Sequence, residues 1–110
     1  MTSLEQGDVI EVSFDPTLGH EPQKTRPAVV VSGYDFNNGS TLTVIAPITS
    51  IDNGFPLHIG IGDDNEIQGF VCVEQLRSMD LVKRKARQIG SLDDNTMIAV
   101  MSHIRAVFDL

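Results

Sequence analysis

Three side chains able to act on a phosphodiester lie close together in the first quarter of the chain. His20, Glu21 and Arg26 stand in a polar segment between two apolar stretches, Val9–Phe14 and Pro27–Val31. An imidazole titrates near neutral pH, a carboxylate can accept a proton, and the planar guanidinium of arginine matches the geometry of a phosphate. One loop could therefore bring an acid–base group and a fixed cation to the same phosphorus atom.

Cleavage of RNA without a metal ion needs three functions that these residue types can supply. A base takes the proton from the ribose 2′-hydroxyl, a cation stabilises the charge that develops on the phosphate oxygens, and an acid protonates the leaving 5′-oxygen. The expected products are a 2′,3′-cyclic phosphate and a 5′-hydroxyl. A loop histidine and an arginine beside a glutamate are also typical of a solvated surface loop with an ion pair. The local pattern alone leaves both interpretations open.

The composition predicts one globular domain over residues 1–110. This length suits a single hydrophobic core, and no apolar run approaches the roughly 20 residues that span a bilayer. The segment Met1–Gln6 lacks the basic and apolar regions of a signal peptide. The single cysteine, Cys72, cannot form an internal disulfide. We therefore expect a cytoplasmic protein with no membrane partner.

The charge is unevenly distributed along the chain. A net charge of −7 argues against the broad basic surface that bulk nucleic-acid binding needs. Residues 1–82 hold 12 of the 15 acidic residues and three of the 8 basic ones, whereas Lys83–Arg87 holds four basic residues. This strip fits either a contact to a short stretch of RNA backbone or a solvated strand edge. Both interpretations stay open.

Hydrophobic patterning predicts several strands followed by one helix. In the first strand Ile10, Val12 and Phe14 share an apolar face. Turn chemistry follows at Asp15–Gly19. Further strands are predicted at Pro27–Val31, Leu42–Ile48, Leu57–Ile61 and Phe70–Val73, with weaker candidates at Gln75–Leu81 and Lys83–Ile89 and one helical turn at Tyr34–Asn37.

The last element has the clearest signal. Ser91 is followed three positions later by Asp94, as at a helix N-cap, and apolar residues then recur at helical spacing as far as Phe108. This predicts a helix from about Leu92 to Val107. Strands followed by a terminal helix indicate an α+β fold with an antiparallel sheet.

The opening residues resemble a known toxin family. The run from Gly7 to Val31, which contains G-D-V-I-E-V-S-F-D-P-T-L-G-H-E and R-P-A-V-V, is similar to the start of the MazF/PemK (Kid) toxins. These are small ribonucleases of bacterial toxin–antitoxin modules. The resemblance implies a small SH3-like antiparallel β-barrel with a C-terminal α-helix, assembled as a homodimer. It also implies a metal-independent endoribonuclease that needs no cofactor and cuts single-stranded messenger RNA at a short sequence.

The resemblance implies a second partner besides RNA. Family members pair with a cognate antitoxin whose acidic, partly disordered tail occupies the RNA groove. The toxin–antitoxin complex can then bind operator DNA through the antitoxin.

The same resemblance assigns residues to the site. Arg26 falls on the arginine that the family counts as catalytic, and His20 matches the histidine of the PemK-type G-H-E loop. Thr49 matches a functional threonine in a P-x-T-[ST] motif, which the turn Gly54–Pro56 follows at the family's spacing.

A second family signature covers Gly69–Asp80. Glu74 matches an acid proposed as the base in the PemK branch, but Cys72 stands where that branch has an arginine. This departure favours the MazF-like site, built on Glu21, Arg26 and Thr49, with Glu74 and His20 in secondary roles. The implied substrate contacts are Ser50, Phe55, Gln75, Arg77 and Lys83.

No metal site is predicted from the spacing of possible ligands. His20, His58 and His103 lie far apart in the sequence, and Cys72 stands alone. Cys72 lies in an apolar run and is expected to be an inert buried thiol. With no tryptophan and only five phenylalanines, most rings, Phe70 among them, are expected in the core.

Two alternative functions remain at this point. One is a gyrase poison of the CcdB type, which shares the fold but acts through C-terminal residues that include a tryptophan. This chain has no tryptophan and ends Ala106–Leu110. The other is a protein of the same fold that binds a partner without catalysis. The intact loop with His20, Glu21 and Arg26 favours the nuclease.

Overall fold

The computed structural model describes residues 1–14, 25–52 and 54–110. These residues form seven strands and two helices, with a 3-10 turn at Val73–Gln75. The expected turn at Asp15–Gly19 lies outside the described residues. The elements are β1 (Asp8–Ser13), β2 (Thr25–Val30), α1 (Tyr34–Gly39), β3 (Thr43–Thr49), β4 (His58–Gly60), β5 (Phe70–Cys72), β6 (Arg77–Met79), β7 (Arg87–Ser91) and α2 (Asp94–Val107).

Strand β3 lies at the centre of one antiparallel sheet. The strands pair in the order β4-β5-β3-β2-β1-β7, and β6 also pairs with β3. Thr49 of β3 faces Phe70 of β5, whereas Ile45 faces Arg77 of β6. Strands β5 and β6 therefore follow one another along β3, and the 3-10 turn at Val73–Gln75 is an insertion between them. The predicted α+β class is confirmed.

The sheet curls strongly without closing. The guanidinium of Arg77 on β6 lies 5.3 Å from the ring centroid of Phe14, just past β1. These strands are three apart in pairing order, which in a flat sheet would separate them by about 14 Å. Among the described residues the curled sheet stays open, because the pairing path ends at β4 and β7.

The start of α2 fastens the chain that follows β4. The Gly62 N–H donates to Thr96 Oγ1 at 3.2 Å. Asn65 and Asp93 exchange two hydrogen bonds of 2.9 Å, one to the Asp93 carboxylate and one from its backbone N–H. The loop after β4 is therefore joined to the start of the helix by side-chain hydrogen bonds.

Each face of the sheet carries its own hydrophobic cluster. Ile10 and Val12 belong to the cluster opposite α2, with Phe14 packed against it, so the predicted apolar face of β1 is confirmed. Val9, expected to point away from the core, is fully buried with Met97 and Val100 in the cluster under α2. The sequence pattern did not predict the burial of Val9, because at this point both faces of β1 are covered.

The starts of α2 and β7 differ from the prediction. Helix α2 begins at Asp94 with Asp93 at the N-cap, because Ser91 still belongs to β7. Hydrogen bonds from the Thr96 hydroxyl and the Asn65 amide hold the pKa of the Asp93 carboxyl below its ordinary value. The weak candidate at Lys83–Ile89 forms a strand only from Arg87, because the preceding residues make a turn in which Lys85 has φ +54°. The predicted helical turn is confirmed as α1.

A buried asparagine in α1 fastens the N-terminal segment. The Asn37 amide donates to the backbone carbonyls of Leu4 at 2.9 Å and Ser32 at 3.1 Å, and its side-chain oxygen accepts from the Ser32 hydroxyl. The Asn37 side chain is fully buried. It therefore links three segments that are separate in the sequence.

Replacing Asn37 with alanine is expected to lower the free energy of unfolding by about 2–4 kcal/mol, because two part-buried carbonyls and the Ser32 hydroxyl each lose a hydrogen bond. Urea unfolding measures the change. Asn38→Ala is the matched control, since Asn38 is exposed one position away. Equal urea midpoints for the two variants would contradict the role given to Asn37.

Candidate functional site

Arg26 and Thr49 lie on neighbouring strands and on the same face of the sheet. Arg26 alternates with Ala28 in β2, and Thr49 alternates with Ile45 in β3, so both point to the face opposite α2. Ala28 pairs with Pro47. Arg26 lies two residues before Ala28 and Thr49 two residues after Pro47, so both stand at the same end of the β2–β3 pairing. Arg26 is exposed and Thr49 half-buried, so the pair stands at the solvent end of this face.

The Thr49 hydroxyl is held in a local turn. Its Oγ1 accepts a hydrogen bond from the Ile51 N–H at 3.2 Å, and a hydroxyl that accepts one bond can donate another. On the other side Gly69, with φ +131°, approaches the Thr49 backbone so closely that a Cβ there would lie 2.5 Å from the Thr49 carbonyl oxygen. The position of Thr49 is thus set by its neighbours. Ser50, next in the chain, is exposed.

Glu74 lies in the 3-10 turn and is paired with a histidine. Its Oε2 is 2.8 Å from His58 Nε2, and the amide of Gln75 donates to the same oxygen at 3.3 Å. The His58 side chain is only 7% exposed and that of Glu74 24%. The Phe55 and His58 rings are nearly perpendicular, with 5.4 Å between their centroids. Glu74 is therefore a positioned carboxylate.

His58 is a functional candidate that the sequence analysis missed. The alternation of Leu57 and Ile59 already implied that His58 points to the opposite face, which was the available signal. The pairing of β4 with β5, which sets His58 directly across from Cys72, could not be deduced from the sequence. Register is a tertiary property, since it depends on which strands meet.

Cys72 is buried, as expected, but it does not stand alone. Sγ of Cys72, a ring nitrogen of His58 and a carboxylate oxygen of Glu74 all lie within 4.8 Å of one another. Burial raises the pKa of the Cys72 thiol, and the negative charge of Glu74 raises it further, while a backbone hydrogen bond involving Thr49 acts in the opposite sense. The sequence-based picture of an isolated thiol is wrong, because β-pairing brings the other two groups to it.

Two arginines, Arg77 and Arg84, lie near the end of β1, on the face of the sheet opposite α2. Arg77 lies over the Phe14 ring, and Arg84 donates to the Ser13 carbonyl oxygen at 3.0 Å. Arg77, Arg84 and Lys83 also line one shallow pocket. The basic strip is therefore divided: part of it lines this pocket, whereas Arg87 forms a surface ion pair with Glu11 at 3.0 Å.

The aromatic rings are less buried than the sequence suggested. Phe55 is 43% exposed, and Phe36 and Phe108 are exposed as well. Phe70 is half-buried and packs beside Gly60, outside both hydrophobic clusters, so its expected place in the core is wrong. The clusters consist largely of valine and isoleucine, which fill a small curled sheet without large rings.

Of the residues predicted from the sequence, Arg26 and Thr49 share one face of the sheet, and Glu74 lies in the 3-10 turn that follows β5, the strand paired with Thr49. Gln75 is exposed next to Glu74. His20 and Glu21 lie outside the described residues. Their roles remain predictions.

The chain belongs to a toxin family. Residues 5–108 match the family described as PemK-like, MazF-like toxin of type II toxin-antitoxin system. The chain is 40% identical to the endoribonuclease toxin ChpB of Escherichia coli K12 over 116 residues, covering 98% of this chain and 97% of that one. It is 31% identical to the endoribonuclease PemK of Escherichia coli over 112 residues, covering 96% and 83%.

The fold agrees with this membership. The MazE–MazF complex of Deinococcus radiodurans contains a chain that superposes with a TM-score of 0.86 at 23% identity, over 99% of both chains. In the described ranges, none of the helices has the length and apolar character needed to cross a membrane.

Proposed function

We propose that this protein is the toxin of a toxin–antitoxin module and acts as an endoribonuclease on single-stranded RNA. The observation that carries the proposal is the place of Arg26 and Thr49. An exposed guanidinium and a half-buried hydroxyl share one face of the sheet at the ends of adjacent strands, in a chain whose relatives are named endoribonucleases.

The reaction is the attack of a ribose 2′-oxygen on the adjacent phosphorus. Glu21 accepts the 2′-hydroxyl proton or positions the group that does. Arg26 forms two parallel hydrogen bonds to the phosphate oxygens and stabilises the charge that grows there. Thr49 donates a third hydrogen bond. The P–O5′ bond breaks, and the leaving oxygen takes a proton from Arg26, which leaves a 2′,3′-cyclic phosphate and a 5′-hydroxyl.

Secondary roles belong to Glu74 and His20. Glu74 can serve as the base in place of Glu21, and the neighbouring His58 can receive or return a proton through the 2.8 Å contact. His20 contributes an acid or base near neutral pH. The chemistry that these side chains supply needs no bound metal ion.

Because the chain has a net charge of −7, its affinity for RNA depends on a few basic side chains that contact phosphates and on an aromatic ring that stacks on a base. Arg77 and Lys83 line one pocket, and the exposed Phe55 can stack on an unpaired base, a contact that contributes about 1–3 kcal/mol. Ser50 and Gln75 offer hydrogen bonds to base edges. A short, unpaired stretch of messenger RNA suits this set better than a duplex, since few phosphates are neutralised.

Two further partners are part of the proposal. A second copy of the chain would cover the apolar groove of about 480 Å³ between β6 and α2, which Leu76, Met101 and the exposed Phe108 line. An antitoxin would place an acidic, partly disordered tail along the RNA face, as expected for the family, and carry the complex to operator DNA.

The decisive experiment is to incubate the purified protein with a long, weakly structured RNA in the presence of EDTA and to map the ends. Discrete cuts that leave 2′,3′-cyclic phosphates are expected, and their positions give the recognition sequence. Intact RNA in the presence of a folded protein would favour a binding role. The gyrase alternative would then be tested by supercoiling inhibition.

A further inference from the structure

His58, Cys72 and Glu74 form a compact group with the chemistry of a transition-metal site. The ring nitrogen, the sulfur and the carboxylate oxygen lie within 4.8 Å of one another, although 14 residues separate His58 from Cys72 in the sequence. Strand pairing creates the group: His58 faces Cys72 across the β4–β5 ladder, and Glu74 follows in the 3-10 turn.

The burial of His58 and its contact with Glu74 set the geometry of the group. The His58 side chain is 7% exposed, and its Nε2 lies 2.8 Å from Glu74 Oε2. An ion held between these two side chains binds Nε2 and takes the place of the hydrogen that otherwise lies between the two atoms. The buried Cys72 Sγ supplies the third ligand atom.

We propose that His58, Cys72 and Glu74 bind a zinc ion. Imidazole nitrogen, thiolate sulfur and carboxylate oxygen are the three ligand types that zinc uses in proteins, and three protein ligands leave a fourth position for water. Calcium and magnesium prefer oxygen ligands and would not select this set. Binding replaces the Cys72 thiol proton, which is released to solvent.

The site adjoins the proposed catalytic face. Thr49 pairs with Phe70, two residues before Cys72, so the ion lies one strand away from Thr49. A bound ion would withdraw Glu74 from the reaction. Zinc is therefore an inhibitor of RNA cleavage, and EDTA restores activity. This consequence rests on the proposed function, whereas the ion binding itself does not.

The test is titration of the metal-free protein with Co²⁺, which takes the place of zinc and is coloured. One ion per chain is expected, with a thiolate-to-cobalt charge-transfer band in the near ultraviolet that Zn²⁺ abolishes by displacement. Cys72 is the only cysteine in the chain, so this band can arise only from it. Absence of the band in the folded protein would overturn the proposal.

Variants identify the other ligands. Cys72→Ser should lose the band, and His58→Gln and Glu74→Gln should each bind Co²⁺ at least about tenfold more weakly. His103→Gln is the matched control, because His103 is bonded to the Ala99 carbonyl within α2. Circular dichroism confirms that each variant is folded. Unchanged affinity in His58→Gln would reject the site, even if Cys72→Ser proved unstable.

The two proposals fail in different ways. If the wild-type protein binds Co²⁺ with the expected band but leaves RNA intact in EDTA, the zinc site stands and the nuclease does not. If RNA is cut equally with and without Zn²⁺ and no band forms, the nuclease stands and the zinc site does not.

Discussion

Replacing Arg26 with alanine is expected to lower kcat/KM for RNA cleavage by about 10³-fold while the fold is kept. Arg26 is exposed, so the variant removes no buried contact among the described residues. The guanidinium is the proposed partner of the phosphate oxygens, and losses of about 10²–10³-fold or more follow when a group that stabilises such charge is removed. The loss should fall mainly on kcat, because the charge grows only in the transition state.

Two further variants make this expectation specific. Arg26→Lys keeps the charge but loses the planar fork, so it should recover only part of the rate. Arg87→Ala removes an exposed arginine on β7, where it pairs with Glu11, and should cut RNA at nearly the wild-type rate. Initial rates on one short RNA, with end mapping, measure all three. Equal activity in Arg26→Ala and Arg87→Ala would remove Arg26 from the site.

Replacing Gly69 with alanine is expected to lower the free energy of unfolding by about 3 kcal/mol and to displace Thr49. Gly69 has φ +131°, a conformation that side chains rarely adopt. Its new Cβ would also lie 2.5 Å from the Thr49 carbonyl oxygen and 3.2 Å from a methyl group of Ile48. The Thr49 carbonyl oxygen is a backbone atom, so this clash can be removed only if the end of β3 moves.

Urea unfolding and cleavage assays together measure the effect of this substitution. Gly33→Ala is the matched control, since Gly33 has φ −78° and nothing within 4 Å of an added Cβ. That change should leave stability within about 0.5 kcal/mol. A Gly69→Ala protein with the control's urea midpoint would show that the Thr49 backbone is not held as described.

The parts of the fold that periodicity governs could be predicted from the sequence. The apolar alternation of β1 and the helical spacing of α2 both depend on residues close in the chain, and both elements were found. The boundary errors occurred where no local rule decides. Ser91 has the chemistry of a helix cap, yet it pairs with Asp8 in the sheet and leaves the cap to Asp93.

Only the site residues that lie within a family motif could be predicted from the sequence. Arg26 and Thr49 followed from the family resemblance, and the β2–β3 register is compatible with their acting together. His58 was missed because its significance depends on Cys72 and Glu74, which only strand pairing brings near. The exposure of Phe55 and the half-burial of Phe70 likewise depend on how tightly the sheet curls.

The 3-10 turn between β5 and β6 has an evolutionary consequence. Because β5 and β6 each pair with β3 on either side of Val73–Gln75, the sheet tolerates a change within the turn without a slip in either register. Glu74 and Gln75 can therefore be exchanged or reoriented while the scaffold folds as before. Selection can therefore vary the side chains of this turn at little cost in stability.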